Sequence, residues 1–203
     1  MVLRNHNLPA GNVFDKFASK NVLARRLVNN YLFAFDRHVG NLNPTNILEV
    51  GCGEGHIIRH IVETMECNKI SGIDISREII RQASGNCTQG LFSCASAYHL
   101  PFQTNSFDLV ICVEVLEHLF KPEAAMEEIG RVASDNILFS VPQEPIWRVV
   151  NVIRGAYLRE WGNTPGHVQH WTKKEIVRLI EKRFRILEVT YPFPWTMVSC
   201  RIP

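Results

Sequence analysis

The 203-residue sequence has no apolar run near the roughly 18 residues that a transmembrane helix requires. Its first residues, Met1 to Asn12, also lack the apolar stretch of a secretory signal peptide and have the Asn, Pro and Gly content of a loose segment. We therefore expect no membrane span and a cytoplasmic location.

Charge of one sign is not in large surplus, because the formal net charge is only +2. The global basic field that nucleic acids attract is missing, so no nucleic-acid partner is expected. The charge is uneven, however, with nine Lys or Arg and three Asp or Glu from Pro145 to Arg185. This local excess is either a solvated surface or a basic bowl that attracts an anionic partner.

The six cysteines include no pair at C-x-x-C spacing, which argues against zinc and thioredoxin-like chemistry. The sequence accordingly predicts no metal site. Cys52, Cys94 and Cys112 lie on or beside predicted core strands, where buried free thiols would suit a reducing compartment.

Apolar residues at helical spacing predict a helix from Asn21 to Val39, ended by Gly40. After Pro44, short apolar runs alternate with helical stretches. The predicted strands are Asn46–Val50, Lys69–Ile75, Gly90–Ala95, Phe107–Val115, Asn136–Val141, Arg185–Thr190 and Thr196–Cys200. This alternation predicts a three-layer α/β sandwich with a mostly parallel sheet. The last connection is too short for a parallel crossover, so the last strand pair is predicted to be antiparallel.

We interpret residues 1–203 as one domain, with residues 1–40 as an N-terminal helical cap. The segment Gln143–Trp171 is long for a loop and has an apolar helical pattern between Ile146 and Tyr157. It also carries basic residues, namely Arg148, Arg154 and Arg159. We expect it to be a lid-like insertion over a binding site, with a plain packing helix as the alternative.

A glycine-rich turn follows the first predicted strand, with Gly51, Gly53 and Gly55 ahead of a helix. Glycine lets the backbone approach a ligand, and the helix start offers free N–H groups. Dinucleotide-binding proteins use a similar turn, but their third glycine would fall at His56. Glu49, just before the turn, would repel a phosphate and favours a positively charged ligand.

Asp74 ends the next predicted strand, 19 residues past Gly55. A carboxylate at this place can accept hydrogen bonds from both hydroxyls of a ribose. The alternative is an acid at the start of the following helix, although Ser76 is the better candidate for that cap.

Leu100-Pro-Phe102 and the segment Asn105 to Leu119 complete the pattern. From Asn46 to Arg183, the combination resembles the class I methyltransferases that use S-adenosylmethionine (SAM). It is most similar to the quinone-biosynthesis-type and bacterial small-molecule methyltransferases. The resemblance implies a Rossmann-like, seven-stranded sheet and SAM as the cofactor.

By this resemblance, Glu49, Gly51 and Gly53 line the methionine end of SAM, while Asp74 holds the ribose and Ile75 flanks the adenine. Ser96 stands where the family often has an Asp that contacts the adenine amine. The full set of predicted cofactor-binding residues is Glu49, Gly51, Cys52, Gly53, Gly55, Asp74, Ile75, Ser96, Ala97, Val113 and Glu114.

A general base is needed only if the methyl acceptor carries a proton at the attacked atom. His118, His167 and His170 are the candidates, with loop or core packing as the alternative for each. Glu144 is a further polar wall candidate, and surface exposure is the simpler account of His56 and His60. The expected acceptor is a small-molecule, lipid-like or glycoconjugate compound, anionic if the basic bowl exists.

Two other functions compete with methyl transfer, namely an NAD(P)-binding oxidoreductase and a non-catalytic subunit with the SAM-binding fold. A nucleic-acid methyltransferase is disfavoured, because Val113-Glu-Val-Leu116 replaces the Asn/Asp-Pro-Pro-aromatic motif of base-amino methylation. The residues carry no signal of an oligomeric state.

Overall fold

The computed structural model describes residues 22–67, 69–153, 155 and 157–203. The loose segment expected over residues 1–12 and the basic residue Arg154 lie outside the described residues. None of the described helices is both long and apolar enough to cross a membrane.

The centre of the molecule is a seven-stranded sheet with strand order β3-β2-β1-β4-β5-β7-β6. Strands β1 to β5 run parallel, and β7 is antiparallel to both of its neighbours, β5 and β6. The strands are β1 Asn46–Val50, β2 Lys69–Asp74, β3 Leu91–Cys94, β4 Phe107–Val113, β5 Ala133–Pro142, β6 Arg185–Thr190 and β7 Trp195–Arg201. The predicted fold class, with its antiparallel last pair, is confirmed.

Six α-helices within the described residues cover the sheet: α1 Val22–Gly40, α2 His56–Thr64, α3 Arg77–Asn86, α4 Pro122–Val132, α5 Ile146–Ile153 and α6 Lys173–Glu181. Short 3₁₀ turns occupy Leu116–His118 and Leu158–Glu160. The predicted caps are confirmed, because Ser76 accepts from the Ile79 N–H and Thr172 forms a capping box with Glu175.

Two buried clusters lie on the two faces of the sheet, and the side chains of successive strand residues belong to them alternately. Ile47 packs with α1 and α2, whereas Leu48 packs with α4 and α6. In β4, Leu109 and Ile111 belong to the first cluster and Val110 to the second. Positions covered on both faces of the sheet need apolar side chains, which explains the apolar run Leu109–Val113 of β4.

Several element limits differ from the sequence prediction. Strand β5 begins at Ala133 rather than Asn136, while β4 ends at Val113 because Glu114 turns the backbone to a φ of 59°. Cys52 and Cys112 are buried as expected, but Cys94 is exposed. The reason is that β3 is an edge strand with little cover, which a local apolar pattern does not reveal.

Candidate active site

A cavity of about 330 Å³ lies at the carboxyl ends of β1, β2 and β4, where open α/β sheets bind their ligands. The turns after these strands form its floor. Residues of α1, of α5 and of the segment that follows α5 form its other walls. The cavity thus draws on both residues 22–40 and residues 143–171, the segments predicted as cap and lid.

The glycine turn after β1 is held against β2 by hydrogen bonds from the backbone N–H groups of Gly51 and Cys52 to the Ile73 carbonyl, at 2.8 and 2.9 Å. Gly51 and Gly53 have φ values of 74° and 51°, in the left-handed region. A Cβ on Gly51 would overlap the Val115 side chain. The turn therefore needs glycine at position 51 for both its backbone shape and its close packing.

Gly55 does not line the cavity. It precedes α2 with a φ of 81°, and a Cβ there would stand 3.3 Å from both Ala83 and Phe92. Its place is thus explained by packing against α3 and β3. Glycines 51 and 53, together with Cys52, do line the cavity.

Asp74 faces the cavity and also organises the adjoining turns. Its Oδ2 accepts from the Gly53 N–H at 3.3 Å, and its Oδ1 accepts from the Ser76 N–H at 2.9 Å. Burial raises the pKa of Asp74 above its usual value. The two interpretations offered for this residue are therefore compatible, since one carboxylate serves the helix start and the cavity.

Glu49 is a buried carboxylate in the cavity wall, only 2% exposed. The Glu49 carboxylate accepts a hydrogen bond from the Ile58 backbone, while its Oε2 has no hydrogen-bond partner among the described residues. Burial, and then the nearby charge of Asp74, raise the pKa of Glu49 well above its usual range. A cationic ligand would offset the cost of this buried pair of acids.

The described lining of the cavity contains Glu49, Asp74 and Glu114 but neither Lys nor Arg. The basic excess between residues 145 and 185 therefore brings no described positive charge to the cavity. This favours its interpretation as solvated surface over that of a basic bowl. The electrostatics fit the sulfonium and ammonium groups of SAM, and they oppose a dinucleotide pyrophosphate.

Ile75, Ser96 and Ala97 line the rim on the β2 and β3 side, with Ile75 59% exposed. The Ser96 hydroxyl accepts from the Tyr98 N–H at 3.2 Å, which closes its own turn. Val113 and Glu114 line the neighbouring wall. Except for Gly55, all predicted cofactor-binding residues are thus brought together.

Two of the three candidate bases also reach the cavity. His118 and His167 line it, with ring centroids 4.9 Å apart, and His167 stacks on Trp147. His170 is exposed, lies outside the lining and has its Nε2 2.8 Å from Asn163 Oδ1. The helix capped by Thr172 begins three residues later, at Lys173.

Three further polar residues differ from the sequence prediction. Glu144 is buried and lies outside the lining, and burial raises its pKa. His56 and His60 are half-buried rather than surface-exposed. His56 lines the cavity, and His60 lies 2.6 Å from Asp36 of α1, because α1 covers the helix that carries both.

Sequence reasoning missed the aromatic wall of the cavity. Tyr31 of α1, Trp147 of α5 and Trp195 of β7 line it together, with Trp195 5.1 Å from Tyr31 and 5.6 Å from Trp147 between ring centroids. Tyr31 fits the apolar periodicity of its helix, which is the only signal that it would be covered. Periodicity does not distinguish a cavity wall from a core position.

The family described as methyltransferase domain matches residues 48–139, from β1 to β5. Ajmaline N-methyltransferase of Rauvolfia serpentina is 35% identical over 45% of this chain and 33% of the relative. Malonyl-[acyl-carrier protein] O-methyltransferase of Geobacter sulfurreducens is 30% identical over 63% of this chain and 47% of the relative. The chain thus spans between a third and a half of these relatives.

Among solved structures, magnesium protoporphyrin IX methyltransferase of Synechocystis, with bound S-adenosylhomocysteine (SAH), superposes with a TM-score of 0.67. It is 16% identical, and the match covers 91% of this chain and 89% of that one. The fold, the acidic cavity and the family match agree. Residues 48–139 match the methyltransferase-domain family, and together these findings support a class I SAM-dependent methyltransferase with SAM as the cofactor. The resemblance seen in the sequence is confirmed, and an oxidoreductase is not favoured.

We expect the affinity of the cavity for SAM to depend on pH, because Glu49 lies in its wall. Since the folded chain raises the pKa of Glu49 above its unfolded value, the ligand-free fold should lose stability as pH rises from about 4.3 through that raised pKa. SAM favours the ionised carboxylate, so its affinity should rise over the same window. SAM titrations from acid to neutral pH would measure this rise.

The matched variants are Glu49→Gln and, as a control on the exposed face of α6, Glu181→Gln. Glu49→Gln should flatten most of the pH dependence and weaken SAM more than SAH, which lacks the sulfonium charge. The control should keep the wild-type profile. An unchanged profile in Glu49→Gln would contradict the role given to this carboxylate.

Proposed function

We propose that this chain is an enzyme that transfers the methyl group of SAM to an apolar small-molecule or lipid-like acceptor. The observation that carries the proposal is the division of one cavity into two chemically different sides. Glu49, Asp74 and the glycine turn form an acidic side, whereas Tyr31, Trp147 and Trp195 form an aromatic side. The first fits a cationic nucleoside, and the second fits the acceptor.

On the acidic side, we assign the methionine end of the cofactor to Glu49, Gly51 and Gly53, and the ribose hydroxyls to Asp74. Ile75 and the Ser96–Ala97 turn would flank the adenine, and Val113 and Glu114 would close the opposite edge. When bound, SAM supplies a methyl group already activated by the adjacent sulfonium. The residues need mainly to orient the acceptor and exclude water, a contribution of about 7–11 kcal/mol in favourable cases.

The residues of the cavity wall also limit the chemical class of the acceptor. Aromatic rings and the lack of Lys or Arg in the described lining favour a neutral or cationic apolar compound over an anionic one. We propose that α1 acts as a cap and residues 143–171 as a lid. Both contribute apolar lining, including Val28 and Val150, and would exclude water from the methyl group.

Of the two candidate bases that line the cavity, His118 is the better placed to act as a general base. Its Nδ1 lies 3.0 Å from the Gly166 carbonyl, which only accepts, so Nδ1 carries a proton and, in the neutral ring, Nε2 holds the lone pair. An acceptor with an O–H or N–H group could lose its proton to Nε2. Such a base contributes about 10²–10⁴-fold to the rate.

The test is transfer of label from methyl-labelled SAM to fractionated cell extract by the purified chain. We expect labelled apolar compounds with the wild type and none with Asp74→Ala. Calorimetry with SAM, SAH and NAD run in parallel separates the alternatives. SAM binding without transfer to any fraction would favour a non-catalytic subunit, and affinity for NAD alone would overturn the assignment.

A further inference from the structure

We propose that Glu117, His118 and His167 form a binding site for one divalent transition-metal ion at the acceptor side of the cavity. One ligand atom of each residue lies within 4.8 Å of the others. Nothing in the proposed methyl transfer requires this ion, so the site goes beyond that function. It also differs from the expectation of no metal, which considered only cysteine spacing.

The donor set indicates the kind of ion. Two imidazole nitrogens and one carboxylate oxygen are a set that Zn²⁺ and Fe²⁺ sites use, with further positions open to water or substrate. Mg²⁺ and Ca²⁺ prefer oxygen ligands throughout. Two ligand atoms of one tetrahedral zinc ion stand about 3.4 Å apart, given metal–ligand distances of about 2.1 Å. Side-chain movements of about 1.5 Å would therefore complete the set.

Burial supports a built site rather than a chance surface cluster. Glu117 is 2% exposed and His167 is 8% exposed, while His118 is half-buried. A carboxylate and two imidazoles held close together and largely out of water are a donor set that a divalent ion can bind.

The orientation of His118 is the second, independent observation. Its Nδ1–H donates to the Gly166 carbonyl at 3.0 Å, which leaves Nε2 as the ligand nitrogen. Histidines that bind metals nearly always have their other nitrogen held in this way, because the hydrogen bond sets the tautomer and the ring plane.

The backbone holds the two contributing segments together. The N–H groups of Val168 and Gln169 donate to the Glu117 carbonyl at 2.9 and 3.0 Å. The Gln169 side chain donates to the Leu119 carbonyl at 3.1 Å. The segment that carries His167 is thereby fastened to the turn that carries Glu117 and His118, so the three side chains are pre-positioned.

The ion would have a defined task in the proposed reaction, and this step rests on the proposed function. An acceptor hydroxyl bound to the ion would lose its proton to solvent water more easily, since a divalent ion stabilises the resulting oxyanion. That oxygen would then take the methyl group of SAM and leave SAH. Because Nε2 of His118 cannot hold both an ion and a proton, the ion would replace the general-base role of His118. The acceptor class then narrows to compounds that present an oxygen to the metal.

The experiment uses the full chain, stripped with a chelator, dialysed and titrated with Co²⁺ and with Zn²⁺. We expect one ion per chain by calorimetry and a visible absorption band from bound Co²⁺. His167→Ala should weaken binding at least 10-fold, whereas the control His170→Ala, three residues away and outside the cavity, should bind as the wild type does.

Glu117 is buried, so Glu117→Gln is included with circular dichroism, and His167→Ala decides the matter if Glu117→Gln does not fold. Absence of stoichiometric binding, or equal affinity in wild type and His167→Ala, would overturn the site and indicate a metal-free carboxylate–imidazole cluster. SAM affinity of the stripped chain is measured in parallel. SAM binding without metal binding refutes only the metal site, and metal binding without SAM binding refutes only the proposed function.

Discussion

Asp74→Ala is expected to weaken SAM binding by about 100-fold or more. The lost interactions would be the two proposed charge-assisted hydrogen bonds to the ribose, each worth about 1.5–3 kcal/mol. The variant also removes the carboxylate that accepts from the Gly53 and Ser76 N–H groups. Calorimetry with SAM and SAH measures the loss, which should be similar for the two because both carry the ribose.

Asp135→Ala is the matched control. Asp135 lies near the start of β5, at the amino ends of the parallel strands and thus at the opposite end from the cavity. Its carboxylate pairs with Arg201 on the surface. Its removal should leave SAM affinity unchanged, since an exposed ion pair contributes little. Wild-type SAM affinity in Asp74→Ala would remove the basis for the assigned ribose site.

Gly51→Ala is expected to lower the free energy of unfolding by about 2–6 kcal/mol and to abolish SAM binding. A side chain at a φ of 74° is strained by about 1–3 kcal/mol, and its overlap with Val115 adds a packing cost of about 1–3 kcal/mol. Urea denaturation measures the stability, and calorimetry on the still-folded fraction measures the binding.

Two further variants separate the causes. In Gly51→Ala combined with Val115→Ala, the overlap is removed and the backbone strain stays, so only part of the stability should return. Gly85→Ala in α3 meets no atom within 4 Å and should be neutral or stabilising by up to about 1 kcal/mol. If Gly51→Ala is as stable as Gly85→Ala, the close approach of the turn to Val115 does not contribute to the free energy of unfolding.

The predictable part of the fold rests on local rules. The Thr172–Glu175 capping box and the Ser76 cap depend on residues three positions apart, and both are present as expected. The apolar run of β4 requires cover on both faces, whatever the order of the sheet. Element limits were less predictable. The early end of β4, for example, depends on a left-handed residue, Glu114, rather than on any change in hydropathy.

The acidic half of the site was predictable for a related reason. Strands β1 and β2 pair directly, and at their carboxyl ends lie Glu49, the glycine turn and Asp74. The spacing of these residues along the chain therefore places them next to one another in the fold. Gly55 was the exception, because its glycine serves the packing of α2 against α3. A motif shows that glycine is present but not which neighbour requires it.

By itself, the sequence determined the succession of strands and helices, the caps, the antiparallel last pair and the acidic turn, because each depends on backbone geometry within a few residues. Only the tertiary structure brought Tyr31, Trp147 and Trp195 to one wall, and His167 to Glu117 and His118. Those meetings require the sheet order and the packing of α1 and α5 over its carboxyl edge. Such long-range contacts follow from how the whole core is buried, which no local spacing encodes.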